Sequence, residues 1–200
     1  MSTSINDLHI PPRLSKYIKT ILKKDDSAEI TACAPLGLKR GLVHICKSND
    51  EWPELFNLEK LLLQQALGES LIDIRHIGST SIPGLMSKPI IDVLIGVKTI
   101  KDEETLIEKI TGIGYDYAGN DIVPENLIFG LGKLRTHILH VTEFNGNSWQ
   151  ECLRFKSLLR SNPLLRHYYE NHKLELASKF RNDRLGYSDA KSDIVKQILK

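Results

Sequence analysis

Residues 75–85, Arg-His-Ile-Gly-Ser-Thr-Ser-Ile-Pro-Gly-Leu, and residues 88–95, Lys-Pro-Ile-Ile-Asp-Val-Leu-Ile, are the part of the chain that decides the fold. Apolar residues, many of them β-branched, flank a short polar stretch, which predicts a strand, a tight turn and a second buried strand. Gly78 suits the turn because it can take backbone angles that a side chain forbids. The rest of the chain is expected to pack around this strand–turn–strand unit.

The polar turn also predicts an anion site. Ser79, Thr80 and Ser81 offer hydroxyls and peptide N–H groups at a predicted helix start, and helix N-termini attract anions. Asp92 follows two residues into the second strand, so a carboxylate is expected close to the anion cradle. Together these groups would form one half of a metal-assisted phosphate site.

The stretch from His76 to Leu85, followed after three residues by Pro89-Ile90-Ile91-Asp92, resembles the signature of the GrpB family. The resemblance runs from about Trp52 to the C-terminus and implies the nucleotidyltransferase fold of the polymerase β superfamily. That superfamily uses Gly-Ser on a turn, an Asp-hydrophobic-Asp/Glu pair on the next strand and a third acidic residue later. Gly78-Ser79 and Asp92 match this pattern, but Leu94 stands where the second carboxylate is expected.

A later strand, predicted over residues 135–142, carries two histidines. Alternation along a strand places His140 on one face and His137 on the other, and the resemblance puts His140 where the third acidic residue is expected. The predicted metal ligands are Asp92, His76 and His140, with Asp92 and His140 as the catalytic pair. The ion would be divalent: Mg²⁺ prefers oxygen, whereas imidazole with carboxylate suits a transition metal. A hydrogen-bonded structural role is the alternative for a strand histidine.

The C-terminal segment is basic. Residues 154–200 hold eleven Lys or Arg against five Asp or Glu. The resemblance also includes a Tyr-three-Lys pattern, which Tyr169 with Lys173 matches and Tyr187 with Lys191 repeats. We predict that Lys173 and Lys191 face the same site as Ser79, the alternative being solvated helix faces. The complete predicted phosphate-binding set is Gly78, Ser79, Thr80, Ser81, Lys88, Lys173 and Lys191.

Composition places the chain among ordinary globular proteins. Its 200 residues are 41% hydrophobic and 26% charged, with a net charge of +2, so a nucleic-acid partner is ranked last. No apolar run approaches the roughly 20 residues that span a bilayer, and no secretory signal is visible at the N-terminus. Cys33, Cys46 and Cys152 are few and widely spaced, as in a reduced cytoplasmic protein without a disulfide or zinc framework.

Two regions are predicted along the chain. Residues 1–40 form an N-terminal extension with a helix that opens at Pro11-Pro12, and residues 41–200 form the GrpB-like domain. The expected fold class is α/β: a nucleotidyltransferase-like mixed, partly antiparallel sheet with packed helices and a helical C-terminal portion. Within it we predict a strand over residues 42–46 and a helix from about Trp52 to Leu67 that residues 48–51 cap.

Two functions follow from the motifs. In the first, the protein binds a nucleoside triphosphate and transfers a nucleotidyl group with the help of a divalent metal. In the second, which the absent carboxylate at Leu94 favours, it is a non-catalytic module that binds a nucleotide, a coenzyme or another phosphorylated small molecule. Both interpretations require a cation near Asp92, because an unpaired buried carboxylate is costly. The candidates are a metal, Lys88, an imidazolium or an arginine from the C-terminal helices.

Overall fold

The structure is a computed structural model that describes residues 36–119 and 126–200. The described part contains five helices of two turns or more: α1 (Trp52–Leu67), α2 (Glu103–Thr111), α3 (Asn147–Ser161), α4 (Pro163–Lys179) and α5 (Arg184–Leu199). Its strands are β1 (Leu38–Lys39), β2 (Leu71–Ile77), β3 (Ile91–Val97), β4 (Tyr115–Gly119), β5 (Leu127–Leu131), β6 (Leu134–Arg135) and β7 (His137–Glu143). The helix predicted after Pro11-Pro12 lies outside the described residues.

Five strands form the central sheet, in the order β2-β3-β7-β5-β4. The β3–β7 pair is parallel and the other three pairs are antiparallel, so the sheet is mixed and partly antiparallel, as predicted. A parallel pair needs a crossover connection, and here the segment from α2 to β6 provides it. The two short strands β1 and β6 pair separately, with Leu38 opposite Arg135.

The register assigns side chains to the two faces of the sheet. Ile77, Asp92, Ile138, Gly130 and Asp116 are successive cross-strand partners from β2 to β4. Directly opposed residues project to the same face, so this row defines one face, which we call the α3 face. Helix α3 covers part of it, because Trp149 packs in a buried cluster with Ile77 and Leu94.

The opposite side of the sheet, the α1 face, packs against helix α1. Phe56 of α1 stacks on His76 with ring centroids 4.8 Å apart, and Trp52 is buried, as predicted for a core aromatic. The burial of apolar side chains on both faces is the main stabilising contribution to such a domain. Helices α4 and α5 add a third apolar cluster, in which Tyr169 and Leu159 pack against Ile82.

Two local predictions need correction. The predicted strand at residues 42–46 is an extended segment without a ladder: Val43 N–H donates to the Arg181 carbonyl at 2.9 Å, and Cys46 forms an isolated bridge with Ser87. Apolar character alone misassigned this segment, because it packs against a loop rather than the sheet. Helix α1 begins as predicted, but Glu51 at its N-cap makes no side-chain capping bond.

In the described ranges, none of the helices combines the length and apolarity needed to cross a bilayer.

Candidate phosphate-binding site

The turn between β2 and β3 begins at Gly78. Its φ of 67° lies in the left-handed region, and a Cβ at this position would overlap the Asp92 carboxylate. Glycine is therefore required twice, by backbone angle and by close approach. Residues Ser79–Ser81 form a single 3-10 turn, which corrects the predicted helix start. Three residues have no appreciable macrodipole, so charge must come from side chains to attract an anion here.

The three hydroxyls of the turn point in different directions. The Ser81 hydroxyl donates to the Gly78 carbonyl at 2.7 Å and so closes the turn itself. Thr80 Oγ1 lies 3.0 Å from Nε2 of His76 on the α1 face. Ser79 Oγ accepts a hydrogen bond from Lys173 Nζ at 3.1 Å. Of these hydroxyls, that of Ser79 is the one placed beside a cationic side chain.

Lys173 reaches the turn from the middle of α4. The residue is only 2% exposed, and besides Ser79 its ammonium group donates to the Met86 carbonyl at 2.5 Å. Nζ also lies 4.8 Å from the centroid of the Tyr169 ring, a cation–π distance. The predicted placement of Lys173 beside Ser79 is thus confirmed, and the solvated-face alternative is wrong for this residue.

Lys88 and Lys191 complete the cationic group. Lys88 Nζ lies 4.9 Å from the centroid of the Tyr187 ring, so each Tyr of the repeated pattern contacts an ammonium group. Burial, and next the positive charge of Lys191, lowers the pKa of both Lys88 and Lys173 to about 7. Lys191 therefore lies near both. We call Ser79, Lys88, Lys173 and Lys191 the cationic cradle.

Asp92 is the acid of this site. Its carboxylate is 29% exposed, and Oδ1 lies 3.5 Å from Nε2 of His140. Burial acts to raise the pKa of Asp92, but the His140 hydrogen bond and the charges of His140, Lys191 and Lys88 outweigh it and hold the pKa below its ordinary value. Asp92 is therefore an ionised carboxylate that faces cations, as expected from its position in the sequence.

His76 does not join the predicted metal ligands. In the register His76 pairs with Val93 rather than Asp92, so its ring lies on the α1 face while Asp92 and His140 share the α3 face. Burial lowers the pKa of His76 to about 3, and the Lys156 charge contributes, so this ring is a neutral, stacked core residue. No group of three or more His, Cys, Asp or Glu suited to a metal occurs in residues 36–119 and 126–200.

The side chains at this site supply few ligand atoms for a metal ion. Asp92 and His140 supply one oxygen and one nitrogen, and Leu94, at the expected second acid, is fully buried against Ile77 and Trp149. A carboxylate at position 94 would lie in the apolar core. A divalent ion would fit only if phosphate oxygens and water completed its shell, which is the way Mg²⁺ is commonly held beside one or two carboxylates.

The burial of His76 predicts acid sensitivity. The unfolded chain binds a proton near pH 6.5 and the folded state only near pH 3, so the free energy of unfolding should fall as pH drops through this window, by up to about 1.36 kcal/mol per pH unit. In His76→Phe, which keeps the stack on Phe56, we expect a shallower decline between pH 7 and 5. Denaturant unfolding measures it. His167→Gln, at an exposed histidine of α4, is the control and should keep the wild-type slope.

Three arginines of the structure were not named from the sequence. Arg184 lies at the start of α5. Burial is the main cause that lowers its pKa; the charge of Asp92 acts to raise the pKa, and the charge of Arg40 lowers it further. It is the arginine from the C-terminal helices that was expected in general terms. Arg135 and Arg40 come from β6 and the residue after β1. No motif contains them, and only the pairing of β1 with β6 brings them together.

Fold and site together define a class: an α/β protein with a mixed sheet that carries a lysine-rich cradle around a Gly-Ser turn and one carboxylate. The comparisons identify the family. A family model described as "GrpB protein" matches residues 42–200. The chain belongs to the GrpB family.

Individual relatives agree with this assignment. The glutamate-rich protein GrpB of Alkalihalophilus pseudofirmus is 38% identical over 170 residues, which cover 82% of this chain and 98% of that protein. The crystal structure of the conserved protein GrpB from Enterococcus faecalis has a TM-score of 0.68 at 32% identity, covering 78% of this chain and 97% of that one. The predicted α/β fold class, a mixed, partly antiparallel sheet with packed helices and a helical C-terminal portion, is confirmed.

A further relative bears on the first 40 residues. A UPF0157 protein of Halalkalibacterium halodurans is 31% identical over 194 residues, covering 96% of this chain and 97% of that protein. That alignment must include most of residues 1–40, whereas the family model begins at residue 42. The division of the chain at residues 40 and 41 stays a prediction.

Proposed function

We propose that the protein binds the phosphate chain of a nucleoside triphosphate, or of another phosphorylated small molecule, at the cationic cradle. The observation that carries this proposal is the buried Lys173 ammonium, held on Ser79 Oγ at 3.1 Å and accompanied by Lys88 and Lys191. Three ammonium groups around one carboxylate leave a local excess of positive charge. Burial, and next the charge of Lys191, lowers the pKa of Lys88 and Lys173 to about 7, and a bound anion would favour the charged form of both lysines.

Nucleotidyl transfer is the reaction that this site would support. The oxygen of an acceptor hydroxyl would attack the α-phosphorus, the bond to pyrophosphate would break, and the hydroxyl proton would pass to a base. Asp92 is a weak base because its pKa is low, so His140 is the better candidate, with Asp92 3.5 Å away to stabilise the imidazolium. Alternatively, Asp92 and His140 would hold a divalent metal together with the phosphates; the metal would neutralise charge on the phosphoryl oxygens, and His140 would then not serve as the base.

The second candidate is a nucleotide- or coenzyme-binding module without catalysis. The position of Leu94 favours it, because a buried leucine under Trp149 replaces the carboxylate that would bridge a second metal. Incubation with α-labelled nucleoside triphosphates and Mg²⁺ or Mn²⁺, followed by chromatography, separates the candidates. Movement of the α-label onto an acceptor with release of pyrophosphate, which Asp92→Asn abolishes, would support transfer, and tight binding without turnover would support the module.

The lowered pKa values of Lys88 and Lys173 predict the direction in which anion affinity changes with pH. Below pH 7 both lysines carry charge, and above it the free protein loses these charges, so anion binding must recharge them. We expect the affinity for a nucleoside triphosphate, whose terminal phosphate is already ionised, to fall between about pH 7.5 and 9, by up to about tenfold per pH unit for each lysine that must take up a proton. Titration calorimetry in buffers of different ionisation enthalpy should show proton uptake on binding.

The control for the pH profile is Lys196→Met, which removes an exposed lysine of α5 and should leave the profile unchanged. An affinity that is flat from pH 7.5 to 9, with no proton uptake, would mean that Lys88 and Lys173 do not contact the anion. The cradle would then be a structural group of lysines, and the binding proposal would be wrong.

A further inference from the structure

A second group of cations lies on the α3 face, on the other side of Asp92. Arg135 is the central member. Its side chain is 10% exposed, and within the described ranges its buried Nη1 forms no hydrogen bond. A buried guanidinium N–H without a hydrogen bond is costly, so its presence needs an explanation.

The backbone shows where this guanidinium lies. A Cβ added to Gly130 would overlap the Arg135 guanidinium, so the group lies flat on the α3 face over Gly130. Gly130 pairs with Ile138, and Ile138 pairs with Asp92. Two strand spacings separate the guanidinium from Asp92, which is roughly 10 Å. Ser79 follows Gly78 just after the end of β2, so it lies on the other side of Asp92 from this guanidinium.

Two more arginines and one acid surround Arg135. Arg40 forms an ion pair with Asp116, and Nη1 of Arg135 is 3.8 Å from the same carboxylate. Arg184 is close enough that its charge lowers the pKa of Arg135, after burial and the charge of Arg40. Asp116 is 57% exposed and shared between Arg40 and Arg135, and Asp92 acts on Arg184, so two carboxylates face three arginines. We call Arg40, Arg135 and Arg184 the arginine cluster.

We propose that the arginine cluster is a second anion subsite, which binds the carboxylate or phosphate group of an acceptor substrate while the cationic cradle holds the phosphate chain. This extends the proposed function, since the cradle is the first of the two subsites. A guanidinium presents a planar fork of donors that matches an oxyanion with two oxygens. Asp92, with its negative charge, lies between the subsites and disfavours one continuous polyphosphate across both.

The test uses inorganic phosphate and malonate as probes, one for each source of the anionic group. In Lys173→Met, which disables the cradle, we expect both the melting temperature and calorimetry to show that at least one probe still binds at millimolar concentration. In the double variant Lys173→Met/Arg135→Met this binding should be lost. General stabilisation by excluded salts is the same in both proteins and cancels. The probe with the larger effect identifies the group.

Two results would overturn the proposal. One is a probe-induced rise in melting temperature that persists in the double variant. The other is no binding of either probe to Lys173→Met at about 20 mM, because a ligand far below its Kd adds no stability. If Arg135→Met does not fold, Arg40→Gln and Arg184→Gln in the Lys173→Met background replace it. Each should weaken the binding of the effective probe by about three- to tenfold, and unchanged binding in both would overturn the proposal. A different experiment tests the proposed function: if the wild type and Lys173→Met bind tripolyphosphate equally, the proposed function is wrong.

Discussion

Lys173→Met is expected to lower the affinity for tripolyphosphate and for nucleoside triphosphates at least about 100-fold, or about 2.7 kcal/mol, so that only weak, millimolar binding at the arginine cluster remains. The ammonium group is 2% exposed and lies on Ser79 Oγ, where a charge-assisted bond to phosphate would be strong. Methionine has similar length, keeps the contact with Tyr169 and removes only the charge and its donors. Calorimetry at pH 7, with thermal unfolding in parallel, measures the change.

The fold should survive this substitution. Replacing a buried charge by an apolar side chain of similar volume is often neutral, because the desolvation cost disappears, although the Met86 carbonyl loses one donor. Lys196→Met is the matched control and should bind tripolyphosphate like the wild type. A Lys173→Met protein that folds and retains wild-type affinity would show that the phosphate lies elsewhere.

The same variant has a second signature in the absence of ligand. The unfolded chain binds a proton at Lys173 up to about pH 10.5, whereas the folded protein loses it at about 7. Wild-type stability should therefore rise with pH across this window, by up to about 1.36 kcal/mol per pH unit from this lysine. In Lys173→Met that contribution should be missing. Ligand affinity and protein stability thus have opposite pH slopes, and the Lys173 amine contributes to both.

Sequence reasoning reached the parts of the site that depend on local order. Gly78 and Ser79 occupy a turn between two apolar strands, and Asp92 follows at a fixed distance, so their proximity was predictable. Lys173 followed from the resemblance to the family, whose Tyr-three-Lys pattern it matches with Tyr169. The element types were also predictable, because the apolar periods from β2 to α5 are clear.

What the sequence left open depends on strand register. Whether His76 and Asp92 share a face is decided by how β2 pairs with β3, and a shift by one residue would exchange the faces. Arg135 was assigned to the start of the strand that carries His140, but the chain bends there and β6 pairs with β1 instead. A possible signal was Gly130 in an otherwise apolar strand, since glycine in a strand often marks close approach of another group.

The second large effect is expected from Asp92→Asn, and its sign depends on metal. Without metal, in EDTA, the variant should bind tripolyphosphate about tenfold more tightly, because one negative charge beside the bound anion disappears. With Mg²⁺ or Mn²⁺ present, the wild type should gain affinity and the variant should not, because the carboxylate that holds the ion is gone. Calorimetry in EDTA and in excess metal gives all four values.

The four affinities distinguish a carboxylate that binds the metal from one that only positions the lysines. Asp92 faces His140, Lys88 and Lys191, so the ligand-free variant should have a lower melting temperature in either case. If Asp92 only positions the lysines, its loss should weaken binding in EDTA, and metal should have no effect on the wild type. Asp189→Asn, at an exposed acid of α5, is the control and should change none of the values. Tighter metal-free binding together with a lost metal response requires that the Asp92 carboxylate lie beside both the phosphate and the ion.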